Sequence, residues 1–146
     1  MSLFRLSDWP LTLRLESRSF GLFLACDARD LADETILRLA RTSTKQGLAY
    51  LCAWGPDCER VHDMFDSYKV EVDPECERLI MTTWHDNETL EEGLWYFAHC
   101  AFAEEVFERN CQSWLAVSVR KPNWENRIRR TLTAYVRPRG QTSAVS

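Results

Sequence analysis

Four short apolar runs, Phe20–Cys26, Leu48–Trp54, Leu79–Trp84 and Trp114–Val119, recur along the chain at intervals of about 30 residues, the repeat length of a βαβ unit. Runs that are continuous rather than alternating belong to strands covered on both faces. Between them the pattern changes to helical spacing. Ile36, Leu37 and Ala40 follow Asp30 and Asp33, either of which can cap a helix, and Gly47 is a natural stop. Val61, Met64 and Phe65 follow the break at Gly55-Pro56. Leu90, Leu94, Phe97, Ala101 and Phe102 give a third helix a wide apolar face behind a cap at Asp86 or Asn87. Pro122-Asn123 opens a fourth helix through Ile128 and Leu132. Strand and helix alternating in this rhythm predict right-handed crossovers around a parallel sheet.

The expected architecture is therefore a single α/β domain over residues 1–146. It is a three-layer Rossmann-like or flavodoxin-like fold with a mostly parallel sheet of about four to five strands. Leu11–Leu15 alternates apolar and polar residues, which suits an edge strand, and residues 138–146 read as a flexible polar tail.

Composition narrows the function classes. Hydrophobic residues make up 45 % and charged residues 27 %, a globular balance that argues against disorder. No apolar run approaches the roughly 18–20 residues of a membrane span. Met1–Pro10 carries Asp8 and lacks the pattern of a secretory leader, so a cytoplasmic location and no membrane partner are expected. There are six cysteines and no CxxC pair; Cys26, Cys52, Cys100 and Cys111 sit in or beside apolar stretches and read as reduced thiols. With five glycines and no GxGxxG or GxxxxGK[ST] loop, no dinucleotide, nucleoside triphosphate or other cofactor is implied.

The net charge of −4 conceals an asymmetry: 15 acidic and three basic residues lie between Asp57 and Glu108, whereas seven basic residues and one acid follow from Arg120 onward. The basic end, with Trp124, Arg127, Arg129, Arg130, Arg137 and Arg139, has the composition of a phosphate contact. A pI of about 5.4 and the lack of any nucleic-acid module argue against that use. Arg127 and Arg130 pairing with the acidic middle of the same chain is the plainer reading.

A ligand site in an open parallel sheet lies outside the carboxyl ends of the strands. The loops that gather there are Cys26-Asp27, Trp54 to Arg60, Trp84-His85-Asp86 and Arg120-Lys121. They supply a candidate binding set of Trp54, Asp57, Arg60, His62, Trp84, His85 and Asp86, with the two indoles expected to wall one pocket. Cys58 and His62 stand one helical turn apart, where an imidazole can lower a thiol pKa. If the protein is an enzyme, its catalytic set is Cys58, His62, His85 and Asp57, with Cys58 as nucleophile, His85 or His62 as base and Asp27 or Asp86 as orienter. The same residue types suit zinc, but without paired-ligand spacing no metal site is expected. His85-Asp86 has a plainer use in capping, and His99 reads as a hydrogen-bonded, partly buried residue of the third helix.

The stretches CAWGPDCERVHD (Cys52–Asp63) and MTTWHDNE (Met81–Glu88), followed by Leu94-Trp-Tyr-Phe97, resemble a bacterial family of small α/β proteins classed as a domain of unknown function. The likeness runs from about Phe20 to Arg130. It implies a bacterial, cytoplasmic protein and transfers no reaction, ligand or site residue.

Two functional readings follow from the sequence. One is a non-enzymatic module that docks a protein partner, for example an immunity or accessory protein of a bacterial conflict system. Its basis is the missing catalytic signature, the acidic surface and a surplus of aromatic side chains. The other is a small enzyme or ligand sensor with Cys58, His62, His85 and Asp57 lining a pocket at the sheet edge. A homodimer built on the apolar third helix is open under either reading.

Overall fold

Every residue of the first strand, β1 (Ser19–Ala25), is buried, and so is every residue of the second, β2 (Leu48–Trp54). Such strands need cover on both faces, and that requirement sets the rest of the architecture. The computed structural model describes residues 19–75, 77–101 and 111–136. After β1 come a short 3-10 turn (Ala28–Asp30) and helix α1 (Asp33–Gln46). Then follow β2, α2 (Cys58–Val72), β3 (Met81–His85), α3 (Leu90–His99), β4 (Cys111–Ser118) and α4 (Pro122–Val136).

The four strands form one sheet in the order β3-β2-β1-β4, and every pairing is parallel. The chain is thus an α/β protein with an all-parallel sheet. Its strand order matches the first four strands of the 3-2-1-4-5-6 doubly wound arrangement rather than the 2-1-3-4-5 order of flavodoxin.

Successive side chains of a strand point to opposite faces, and the core divides accordingly. Phe20, Leu22 and Leu24 of β1 and Leu51 and Ala53 of β2 cluster with Ile36 and Leu39 of α1 and Val61 and Phe65 of α2. Phe23 and Ala25 of β1 and Tyr50, Cys52 and Trp54 of β2 cluster instead with Leu90, Leu94 and Phe97 of α3 and Ile128 and Leu132 of α4.

Several boundaries differ from the sequence-based expectation, each for a local reason. Neither Asp30 nor Asp33 caps α1: its N-cap is Ala32, and Asp33 lies in the first turn with its carboxylate engaged by Arg60. Neither Asp86 nor Asn87 caps α3. That helix opens at Thr89, whose hydroxyl accepts from Glu92 N while the Glu92 carboxylate accepts from Thr89 N, a reciprocal capping box. α3 closes at His99, short of Ala101, although Ala101 still packs into the core. β3 begins two residues later than Leu79. α1 stops at Gly47, as expected, in the left-handed conformation. Leu11–Leu15, Phe102 and the tail 138–146 lie outside the described residues. Among the described residues, no helix is long and apolar enough to cross a membrane.

The loops leaving β1, β2 and β4 are stitched together by backbone bonds: Cys26 N to Trp54 O (3.1 Å), Ala28 N to Pro56 O (2.9 Å) and Val119 N to Ala25 O (2.9 Å). Gly55 permits this approach. Its φ is +118°, and a Cβ there would lie 2.1 Å from the Cys26 carbonyl oxygen. Both the conformation and the contact forbid a side chain. Gly55→Ala is therefore expected to cost about 3 kcal/mol, read as a lower urea midpoint at unchanged slope. A change below about 0.5 kcal/mol, the range of an ordinary surface substitution, would show that this loop does not bind the sheet edge together.

Candidate functional site

Arg60 organises the carboxyl edge of the sheet. Its Nε donates to Asp57 (2.9 Å), Nη1 to the Asp33 carboxylate, and Nη2 to the Ala28 and Leu31 carbonyls, the latter at 2.8 Å. One planar guanidinium thereby joins the 3-10 turn and the starts of α1 and α2. The carboxylate of Asp57 raises the Arg60 pKa further. Asp57 itself is exposed and takes a left-handed backbone (φ 64°) as the N-cap residue of α2, with no side-chain cap bond. The turn that holds Arg60 is therefore tight and committed to structure.

The thiol of Cys58 is fully buried, and burial raises its pKa against the opposing effect of the His85 backbone N–H. This reverses the expected lowering by His62. The His62 ring instead contacts carboxylates on its own helix, Asp63 at 2.9 Å and Asp66 at 3.6 Å. Cys26 and Cys52 are buried free thiols as well; burial pushes Cys26 up to about 12 and moves Cys52 in the same direction. Cys100 is also free but exposed.

His85 is 7 % exposed and closed in on three sides. Nδ1 lies 2.9 Å from Glu88 Oε2, Nε2 lies 3.2 Å from Thr83 Oγ1, and the ring packs on Tyr96 at 4.6 Å between centroids. The Tyr96 hydroxyl meets that of Tyr50 at 3.2 Å. Burial raises the Tyr50 pKa, so its phenol stays protonated. Thr83, His85 and Glu88 thus form a hydroxyl–imidazole–carboxylate chain that sequence reasoning missed. The available signal was the i, i+2 spacing of Thr83 and His85, which places both on one face of a strand. Tyr96 covers the imidazole, and the Thr83 hydroxyl also approaches the Leu51 carbonyl at 3.5 Å. The chain braces β3 against β2 and the start of α3.

The two indoles do not wall one pocket. Trp54 pairs in register with His85, and Trp84 pairs with Ala53, so the tryptophans point to opposite faces of the sheet. Trp54 is nearly buried: its Nε1 donates to Glu88 O (2.9 Å), and its ring meets Trp124 edge-on at 5.0 Å. Trp84 is 41 % exposed and packs on His62, with centroids 4.4 Å apart. The candidate set therefore separates. His62 and Trp84 meet on the α2 side, while Trp54 and His85 lie on the α3 side. Arg60 with Asp57 forms the clamp, and Asp86 is exposed in the loop after β3.

Other charged groups are paired locally. Asp27 accepts from Arg29 Nε and Nη2 at 2.9 and 2.7 Å, which holds its carboxyl below the usual range. Arg127 forks onto Glu91 at 2.9 and 2.7 Å and joins α4 to α3, so this arginine does pair with the acidic middle of the chain. His99 is exposed, not partly buried, yet its Nδ1 is 2.9 Å from Trp95 O. Among the described residues there is no group of three or more His, Cys, Asp or Glu side chains placed to hold a metal ion. A cavity of about 290 Å³ opens at the opposite edge of the sheet, beside Gly47, Leu48, Lys69, Asp73 and Ile80. No sequence pattern had pointed there.

A family model described as a domain of unknown function, DUF7684, matches residues 4–135. The chain belongs to that family. The DUF7684 match begins upstream of Leu11, so it includes the alternating segment that precedes β1. No curated protein and no solved structure matches the chain.

Two measurements check this geometry. Arg60→Ala leaves two carbonyls and two carboxylates without their donor and is expected to cost about 2 kcal/mol, with Arg60→Lys recovering less than half because an ammonium cannot fork. Equal stability of all three proteins in urea would rule the clamp out. The second concerns Glu91, whose carboxyl is held below its ordinary 4.5 chiefly by the hydrogen bonds from Arg127. A depressed folded pKa gives stability that is complete above the unfolded value and is lost as pH falls through the folded one. Stability should therefore decline below pH 4.5 less steeply in Arg127→Gln than in the wild type, and parallel curves would contradict the pairing.

Proposed function

We propose that the protein is a non-enzymatic module that docks a protein partner on the surface shared by β3 and α2. The observation that carries this reading is the exposed Trp84, seated on His62 beside the carboxylates of Asp63 and Asp66. Large aromatic side chains left in solvent next to charge are the usual anchors of protein interfaces. Among the described residues, three groups that catalysis would need at the sheet edge are otherwise committed: Cys58 is buried with a raised pKa, His85 is enclosed and Arg60 is spent on the backbone.

The division of the core into two clusters supports a three-layer, Rossmann-like arrangement in which α2 and α3 frame β3 from either side. A small acidic docking module of this kind suits an immunity or accessory role in a bacterial conflict system, acting in the cytoplasm. Electrostatic attraction would speed its encounter with a basic partner.

The test compares pull-downs from the native host with wild type, Trp84→Ala and, as an exposed aromatic control on α3, Trp95→Ala. A partner held by wild type and Trp95→Ala but reduced at least ~10-fold by Trp84→Ala is the expected result. Equal retention by all three, or biological activity lost in Cys58→Ala/His85→Ala with docking intact, would contradict the proposal.

A further inference from the structure

β3 is the last strand on its side of the sheet, and among the described residues only β2 pairs with it. Natural proteins guard such an edge with lysine, proline, an inward charge or a bulge. Met81-Thr-Thr-Trp-His85 has no lysine, proline or acid, and its register with β2 runs without a bulge. The opposite edge differs. In β4, Leu115–Ser118 are all buried, whereas Met81, Thr82 and Thr83 of β3 are part-exposed and Trp84 is exposed. Five large apolar side chains stand exposed among the described residues, and four of them (Val70, Val72, Leu79 and Trp84) lie on β3, just before it, or on the adjoining α2. Of these, Trp84 is on β3 and Leu79 just ahead of it, while Val70 and Val72 lie in the last turn of α2, Val72 beside the cavity near Gly47.

The charge around this edge is mainly acidic, although Lys69 and the exposed Arg78 also lie near it. On the α2 side, Asp63 and Asp66 stand near His62, and Lys69 is already held by Asp66 (3.1 Å) and the Ile80 carbonyl (3.1 Å). On the α3 side, Glu88 flanks His85, and Asp86 and Glu92 are exposed. A second copy paired through β3 would set these carboxylates against their own equivalents, which is unfavourable. A basic segment meets the opposite condition.

Resting on the docking surface proposed above, we infer that the partner contributes an extended basic segment that adds to β3 as a fifth, hydrogen-bonded strand. Backbone bonds to the open side of β3 supply affinity, as in other strand-addition complexes, and alternate side chains supply specificity. Lysine or arginine at positions i and i+2 falls opposite Thr82 and Trp84. There a cation meets the indole and the exposed Asp63 carboxylate, whereas Asp66 is already engaged by Thr82 Oγ1 (2.7 Å) and Lys69 (3.1 Å). The intervening residue faces Thr83, on the side of Tyr96, and is small or apolar.

The probe is a fluorescein-labelled octapeptide of alternating arginine and valine, titrated by anisotropy into the full chain. Its two counterparts carry glutamate for arginine, or a methyl group on every backbone nitrogen. The expected result is binding that weakens at least ~10-fold with either counterpart, with Trp84→Ala and with the exposed-site variant Asp63→Lys. Hydrogen exchange at 81–85 should slow on binding. If the methylated peptide binds equally, or exchange slows elsewhere, strand addition to β3 is wrong while a Trp84-dependent pull-down still upholds docking. Equal binding of the glutamate peptide overturns the basic partner. Failure of every peptide to bind overturns the inference, and dimerisation that protects β3 identifies a second copy as the occupant instead. Loss of the Trp84 dependence in the pull-down is what defeats the docking reading itself.

Discussion

Burial of β1 and β2 on both faces is the constraint from which the rest of the structure follows. Fourteen consecutive-strand residues with no solvent face demand apolar cover above and below, and parallel crossovers through helices are the means of providing it. Placing β1 between β2 and β4 leaves β3 as an outer strand, with α2 packed against it. Of the two outer strands, β4 is buried along Leu115–Ser118, whereas β3 is part-exposed along Met81–Trp84.

The second consequence concerns chemistry. Bringing the loops after β1 and β2 close enough for Cys26 N to reach Trp54 O requires Gly55 without a side chain and Arg60 as a tie across three elements. The polar residues clustered in these loops resemble an active site when read along the chain. In space they are largely consumed by holding the loops. Cys58 illustrates the point: the burial that packs the start of α2 also makes its thiol a poor nucleophile.

Much of the fold was legible because its signals are local and periodic. The continuous apolar runs located all four strands, Gly47 marked the end of α1, and Pro122 the start of α4. What was not legible depends mostly on pairs distant in sequence; the α3 cap is the exception, a local Thr-x-x-Glu pattern passed over for Asp86 and Asn87. Thr89 displaced Asp86 and Asn87 as the cap of α3 because Thr89 and Glu92 bond reciprocally, while Trp54 holds the Glu88 carbonyl just ahead of them. The expected pocket between Trp54 and Trp84 failed for want of the strand register. Each indole ends an apolar run, but the pairing of Trp54 with His85 and of Ala53 with Trp84 sends them to opposite faces. The meeting of His62 with Trp84 likewise depends on α2 lying over β3, which spacing along the chain does not state.

Among the described residues β3 pairs with β2 alone, and amide hydrogen exchange of the free, full-length protein shows whether its other side is open. Amides of β1 and β2 should exchange only through global opening. Along Met81–His85, protection should alternate, with the amides turned away from β2 exchanging at least ~10³-fold faster than those paired with it. Uniform protection of all five amides at the level of β2 would show instead that the edge is already covered and closed to a partner strand.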